Sequence, residues 1–256
     1  MLITYITVFI LGSLWGSFSN VCIHRIPKDM SVVKGRSFCP SCYKQIKWYN
    51  NIPLLSFIIL KARCQECSAK INTKYFLVEL ISGLNFVLIF YLFGISLTTL
   101  LFFILSICFL IIFFIDLKHF IIPNELTYPL MLIGFLKSFD PNLNYHLFPN
   151  FINSLIGGIF GYVIIWLIIF IYKKLRNKEG MGLGDAKLLS AIGFWFGWVS
   201  IPFIIFFSSV VALISAIPDL IKNKKNLSSQ IPFGPYIIIG NLIFLIVFDY
   251  IKLFLG

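Results

Sequence analysis

"LTTLLFFILSICFLIIFFI", residues 97–115, carries no formal charge and stops at Asp116. A run of about 20 apolar residues is the length needed to cross a bilayer as a helix. Comparable runs recur at 2–21, 76–93, 119–136, 150–172, 187–199, 201–221 and 233–251. The chain as a whole agrees: 59% of its 256 residues are hydrophobic, 12% are charged, and the mean hydropathy is +0.93. A soluble domain carries about twice that charged fraction. Repeated long apolar runs point to helices rather than to a barrel. The sequence therefore predicts an all-α, polytopic membrane helix bundle of about eight transmembrane segments. The sixth and seventh runs are separated only by "WVSIP" at 198–202, where Pro202 predicts a turn or kink. The segment 52–60, "IPLLSFIIL", is too short to span. No basic region precedes the first run and no small-residue cleavage site follows it, so it reads as a retained span.

The net charge is +11. Its distribution explains it without nucleic acid. Ten of the basic residues lie in 22–75. Lys118, the stretch from Lys173 to Lys187, and Lys222, Lys224 and Lys225 supply nine more of the 21. With eight spans these stretches fall on one side, leaving Lys137 and Lys252 on the other. The positive-inside rule makes that side cytoplasmic and puts both termini outside. Anionic lipid headgroups are the partners expected for these basic loops.

The large loop contains Cys39-Pro-Ser-Cys42 and Cys64-Gln-Glu-Cys67, 21 residues apart. Two CxxC knuckles at this spacing suit a tetrahedral, ribbon-like zinc site. The alternative is a pair of disulfides, which the predicted cytosolic side opposes. Four thiolates fill a tetrahedral ion, so such a zinc would be structural. Cys22 and Cys108 are isolated and read as small apolar fillers.

Acids within or beside apolar runs are expensive and tend to be functional. Here they are Glu79, Asp116, Glu125, Asp185 and Asp219. The lysine pattern places Asp116 and Asp185 on the same rim. Two carboxylates brought together can share a proton: one can activate water while the other serves a carbonyl and a leaving amine. Each has a plainer reading as well. Asp116 could pair with Lys118 or cap the next helix, Asp185 could be a helix N-cap or pair with Lys187, Glu125 could be a buried group satisfied by Asn124 or Tyr128, and Asp219 could pair with Lys222–Lys225. The glycines of "GMGLGD", 180–185, could permit tight packing or cradle a phosphate, but no Walker pattern follows them. "GGIFG" at 157–161 reads equally as a close-packing face or as a kink or loose helix end.

A set of motifs in chain order carries a resemblance. They are "GSFSNV" at 16–21, "HRIP" at 24–27, the two CxxC pairs, "NIPLLSF" at 51–57, "KYFLVEL" at 74–80, "IDLKHFIIPNEL" at 115–126, "KEGMGLGDAKLL" at 178–189 and "IPFGPY" at 231–236. Together they resemble the type IV prepilin peptidases, polytopic aspartic proteases with a Gly-x-Gly-Asp motif. The resemblance implies that Asp116 and Asp185 are the catalytic pair, with Gly182, Gly184 and Lys187 in the active-site loop. It implies cleavage of the leader of type IV prepilin or pseudopilin precursors at the cytoplasmic face of the bacterial inner membrane. Many members also methylate the new N-terminus with S-adenosylmethionine, and the long cysteine loop looks like that of such bifunctional members. Glu79 then becomes a methyltransferase candidate, in a stretch resembling the family's "RYPxVE" with Phe76 where that pattern has proline. The implied layout is a first span at 1–21, a zinc-binding, methylation-associated loop at 22–75 and a peptidase part at 76–256. A peptidase without methylation, an ion-coupled transporter and a zinc-dependent membrane sensor are the competing readings.

Overall fold

The computed structural model describes residues 2–143, 148–176, 181–221 and 231–255. Lys178, Lys222, Lys224 and Lys225 lie outside the described residues, as do the side chains of Asp219 and Lys252. The described chain is helical: α1 Leu2–Arg25, α2 Leu55–Ile59, α3 Thr73–Phe93, α4 Leu97–His119, α5 Asn124–Lys137, α6 Phe151–Arg176, α7 Leu183–Phe196, α8 Ser200–Ile221 and α9 Gly234–Leu255. Every predicted apolar run is a helix, and the all-α membrane bundle is borne out. The number of full-length spans differs. Among the described residues five helices are long and apolar enough to cross: Leu2–Lys28, Thr73–Phe93, Leu97–His119, Phe151–Leu175 and Ser200–Pro218. α5 and α7 have 14 residues each, or about 21 Å at 1.5 Å per residue, short of a hydrocarbon core of about 30 Å.

The chain forms two compact units, Met1–Ile111 and Ile112–Gly256, divided within α4. In the first, α1 packs closely on α3. A Cβ on Gly16 would stand 2.7 Å from the Glu79 Cα, and one on Gly12 would stand 2.8 Å from the Ser82 carbonyl oxygen. Small residues let two membrane helices approach to backbone contact, where dispersion replaces the hydrophobic effect that lipid cannot supply. The polar side chains of this seam are satisfied locally. Ser13 and Ser19 donate to Phe9 and Trp15 carbonyls one turn back, and Asn20 donates to the Tyr75 carbonyl across the seam. Phe86 and Phe103 stack at 3.9 Å to hold α4 on α3.

The loop between α1 and α3 is organised by Arg25, which is buried. Its guanidinium donates to the carbonyls of Ser31, Lys34, Gly35 and Arg36. Two matching knuckles follow, each closed by one antiparallel bridge, Phe38 with Gln45 and Arg63 with Lys70. The fourth residue after the first cysteine of each, Tyr43 and Ser68, turns at positive φ. The "IPLLSFIIL" segment yields only the five-residue α2, as its length predicts, and leaves Leu55, Ile58 and Ile59 exposed.

The second unit is built around α7. Ten of its 14 residues are buried, and its neighbours hold it by backbone-directed hydrogen bonds. Ser190 donates to the Gly158 carbonyl, Ser154 to that of Phe194, and the Trp195 indole to that of Leu130. "GGIFG" proves to be a close-packing face: Gly157 meets Gly193 backbone to backbone, and a Cβ on Gly161 would stand 2.7 Å from the Leu189 carbonyl oxygen. Lys137, only 6% exposed, donates to the Trp195 carbonyl at 2.8 Å, near the C-terminal end of α7. The α7–α8 break is made at Gly197, which caps α7 at φ 80. Pro202 instead sits in the first turn of α8, where its missing N–H costs nothing.

Candidate active site

Three helix ends converge in the second unit. α4 delivers Asp116 in its last turn, 4% exposed. After His119 the chain turns at Phe120, φ 57, and runs extended through Ile122 to α5. α7 begins at Leu183 with Gly182 as its cap, which puts Asp185 in the first turn, 7% exposed. α9 begins at Gly234, whose N–H donates to Asp116 Oδ2 at 3.0 Å. Ile122 ties the ends together: its side chain abuts both Gly184 and Gly234. Through these contacts the helix ends that bear Asp116 and Asp185 meet at Ile122. Neither aspartate is in an ion pair among the described residues.

Several plainer readings of the acids are thereby corrected. Asp185 is not the N-cap; it lies three residues inside, and Gly182 occupies the cap. Lys187 pairs with neither aspartate. It donates to Asn124 Oδ1 at 2.8 Å and lies over the Tyr128 ring. Asp116 neither caps α5 nor pairs with Lys118, because α4 runs on past it to His119. Glu125 is exposed rather than buried.

The two motif glycines differ. A Cβ on Gly184 would stand 3.0 Å from the Ile122 Cβ, whereas one on Gly182 would meet nothing nearer than 3.8 Å. Gly184 is thus a packing position, and Gly182 is the open one. Gly234 was missed as a site residue, although "IPFGPY" was visible as a motif. Its signal was the glycine itself, standing at the start of an apolar run. The arrangement offers two carboxylates at the mouths of α7 and α9, whose N-terminal dipoles favour negative charge there. Such a pair can share one proton and present an acid and a base to the same bond.

In the first unit the four cysteines converge. Their sulfurs all lie within 4.8 Å of one another, and Cys39 and Cys67 are 3.9 Å apart. A tetrahedral zinc with Zn–S near 2.3 Å sets sulfurs about 3.8 Å apart, whereas a disulfide needs about 2.05 Å. All four are free thiols. Burial works against its ionisation, yet the N–H groups of Cys42 and Ser41 hold the Cys39 thiol down at about 7. The Ala69 N–H favours the Cys67 thiolate, but desolvation and the neighbouring thiols push Cys67 up to about 12. A set so divided cannot ionise fully unless a cation joins it. Glu79, on α3 of the first unit, accepts the Leu54 N–H at 2.8 Å.

Comparison with known proteins gives the same answer along the chain. The bacterial peptidase A24 N-terminal domain matches residues 10–93 and the type IV leader peptidase family matches residues 103–217. The prepilin leader peptidase/N-methyltransferase of Aeromonas salmonicida is 34% identical, over 93% of this chain and 89% of its own. The chain belongs to the type IV leader peptidase family. The relatives of the same name from Pseudomonas aeruginosa and Vibrio cholerae are 33% and 35% identical, and the second covers 97% of this chain and 98% of its own. No solved structure matches. As a type IV leader peptidase, the chain presents its Gly182-Leu183-Gly184-Asp185 motif at the start of its most buried helix.

Proposed function

We propose that this chain is a membrane aspartic endopeptidase that removes the leader of type IV prepilin-like precursors and N-methylates the new terminus with S-adenosylmethionine. The observation that carries the reading is that the helix ends bearing Asp116 and Asp185, 69 positions apart in sequence, meet at Ile122. One carboxylate takes a proton from water. The resulting hydroxide attacks the scissile carbonyl, which the protonated partner hydrogen-bonds. That proton then goes to the leaving amine as the C–N bond breaks. The Gly234 N–H fixes the Asp116 carboxylate and leaves its other oxygen for water. In this reading Gly182, Gly184 and Lys187 shape the active-site loop, and the rim faces the cytoplasm, where a precursor's basic leader emerges from the bilayer.

The 22–75 loop is the methylation-associated module of this reading, and 76–256 carries the peptidase. Cys39, Cys42, Cys64 and Cys67 would hold a structural zinc; four sulfurs at tetrahedral spacing suit it and leave no open position. S-adenosylmethionine, when bound, supplies an electrophilic methyl group.

Membranes carrying the chain, a prepilin and labelled S-adenosylmethionine test the proposal. The leader is expected to be lost and the product labelled. Asp116→Asn and Asp185→Asn are expected to abolish leader removal while a pre-cleaved pilin is still methylated. Normal cleavage by either Asn variant would exclude the dyad. Solute flux that depends on Asp116, without cleavage, would make the chain a transporter.

A further inference from the structure

The first unit holds a half-open cavity of about 420 Å³ between α1, α3 and the cysteine loop. Ser17 and Asn20 line it from α1, Tyr75, Phe76 and Glu79 from α3, and Phe57 from the loop. Its wall also carries Arg25, tied to four backbone carbonyls, Lys44, paired with Glu66, and Lys47 and Lys70. Cys39 and Cys64 also reach its wall, so an ordered cysteine cluster is part of what gives the cavity its shape.

Glu79 is unusual within it. Its carboxylate accepts the Leu54 N–H at 2.8 Å and is also met by Ser17 and Asn20. It is in no ion pair among the described residues. Leu54 is held at φ 62, ψ −49, and Leu55 N–H donates to the Pro53 carbonyl at 2.6 Å. That is a γ-turn in its strained form, which persists only where its surroundings enforce it. Here the turn presents an N–H to one carboxylate. Phe57 and Phe76, which line the same cavity, pack ring to ring at 5.1 Å. A half-buried carboxylate in no ion pair among the described residues, in a cavity that aromatic rings also line, is the chemistry that receives a weakly hydrated cation.

Resting on the methylation part of the proposed function, we propose that this cavity is the methyl-donor site. Glu79, with the Phe57–Phe76 rings, selects the donor's sulfonium centre. S-adenosylmethionine carries that positive charge, and S-adenosylhomocysteine, the product left after transfer, does not. Glu79 therefore favours donor over product and aids release of the product.

Equilibrium binding to the purified, detergent-solubilised chain tests this without turnover. The wild type is expected to prefer S-adenosylmethionine over S-adenosylhomocysteine about tenfold, a ratio that one desolvated cation contact supplies. Glu79→Gln is expected to bind the two nearly equally, with S-adenosylhomocysteine binding little changed and prepilin cleavage retained. A Glu79→Gln variant with the wild-type preference, or a wild type with none, overturns the assignment. Should Glu79→Gln lose cleavage because the Leu54 turn collapses, photo-crosslinking of labelled donor to the wild-type chain decides. Label is expected in peptides carrying Phe57 or Tyr75–Glu79, and label confined to 112–256 refutes the site. A wild type that neither binds donor nor methylates pre-cleaved pilin removes the methylation reading itself, a different result from methylation that ignores Glu79.

Discussion

The N–H of Gly234 donates to Asp116 Oδ2 at 3.0 Å, across 118 positions of sequence. A Cβ at Gly234 would stand 2.7 Å from that same oxygen and 3.0 Å from the Ile122 Cδ1. One residue thus both orients the carboxylate and leaves it room. Gly234→Ala keeps the N–H and removes the room, so the carboxylate must move. Displacements of this size cost about 10- to 100-fold in rate where two groups must share one substrate bond. Prepilin cleavage is expected to fall by that factor. Methylation of a pre-cleaved substrate should be unchanged, since the residues given to that activity, Glu79 among them, belong to the first unit. Equal losses of both activities would point instead to general misfolding.

Replacing one aspartate should separate activity from stability. Each is buried, and neither has a cation partner among the described residues. Asp185→Asn removes one like charge and keeps the size of the side chain. Cleavage is expected to drop by about 10²- to 10⁴-fold, the usual worth of a positioned acid or base. The thermal midpoint in detergent should hold or rise, because burying two unneutralised carboxylates costs stability that function alone justifies. A large fall in midpoint with the loss of activity would mean that Asp185 is structural.

The Gly157–Gly193 contact predicts a packing effect without a chemical one. The two backbones meet directly, so a methyl group on either has nowhere to go. Overpacking of this kind costs about 1–3 kcal/mol. Gly193→Ala should lower the midpoint, and residual cleavage per folded molecule should stay near wild type. An unchanged midpoint would show that α6 and α7 can separate freely.

Much of this was legible in the chain. Four cysteines in two knuckles announced their cluster because metal ligands are set by local spacing. An ordered run of motifs named the family, and the lysine count predicts Asp116 and Asp185 on one side of the membrane. The lengths of the spans were harder to read. Lipid and protein interior are equally apolar, so the 14-residue, protein-buried α7 reads in sequence like a lipid-facing helix. The plainer readings of Asp185 and Glu125 failed for a related reason. Which side chain caps a helix, or points into a bundle, depends on a register of one or two residues that hydropathy does not resolve. Gly184 shows the same limit: its glycine marks contact with Ile122, a partner 62 positions away.

The cysteine cluster predicts a metal affinity that follows pH. Zinc binds thiolates, so binding releases whatever protons the free thiols hold, and affinity falls as pH falls. Cys39, near 7, gives up its proton easily at neutral pH, whereas Cys67, near 12, holds its proton until the metal displaces it. The protein should therefore retain one zinc against a chelator at pH 8 and lose it when challenged at pH 5. Cys67→Ser should lose it at both. Because Cys39 and Cys64 line the cavity that holds Glu79, metal loss should suppress donor binding and methylation. Leader cleavage, which in this reading depends on residues 116–234, should continue. Metal analysis beside the two activity assays checks this, and cleavage that stops with zinc removal would mean that the peptidase site depends on the loop.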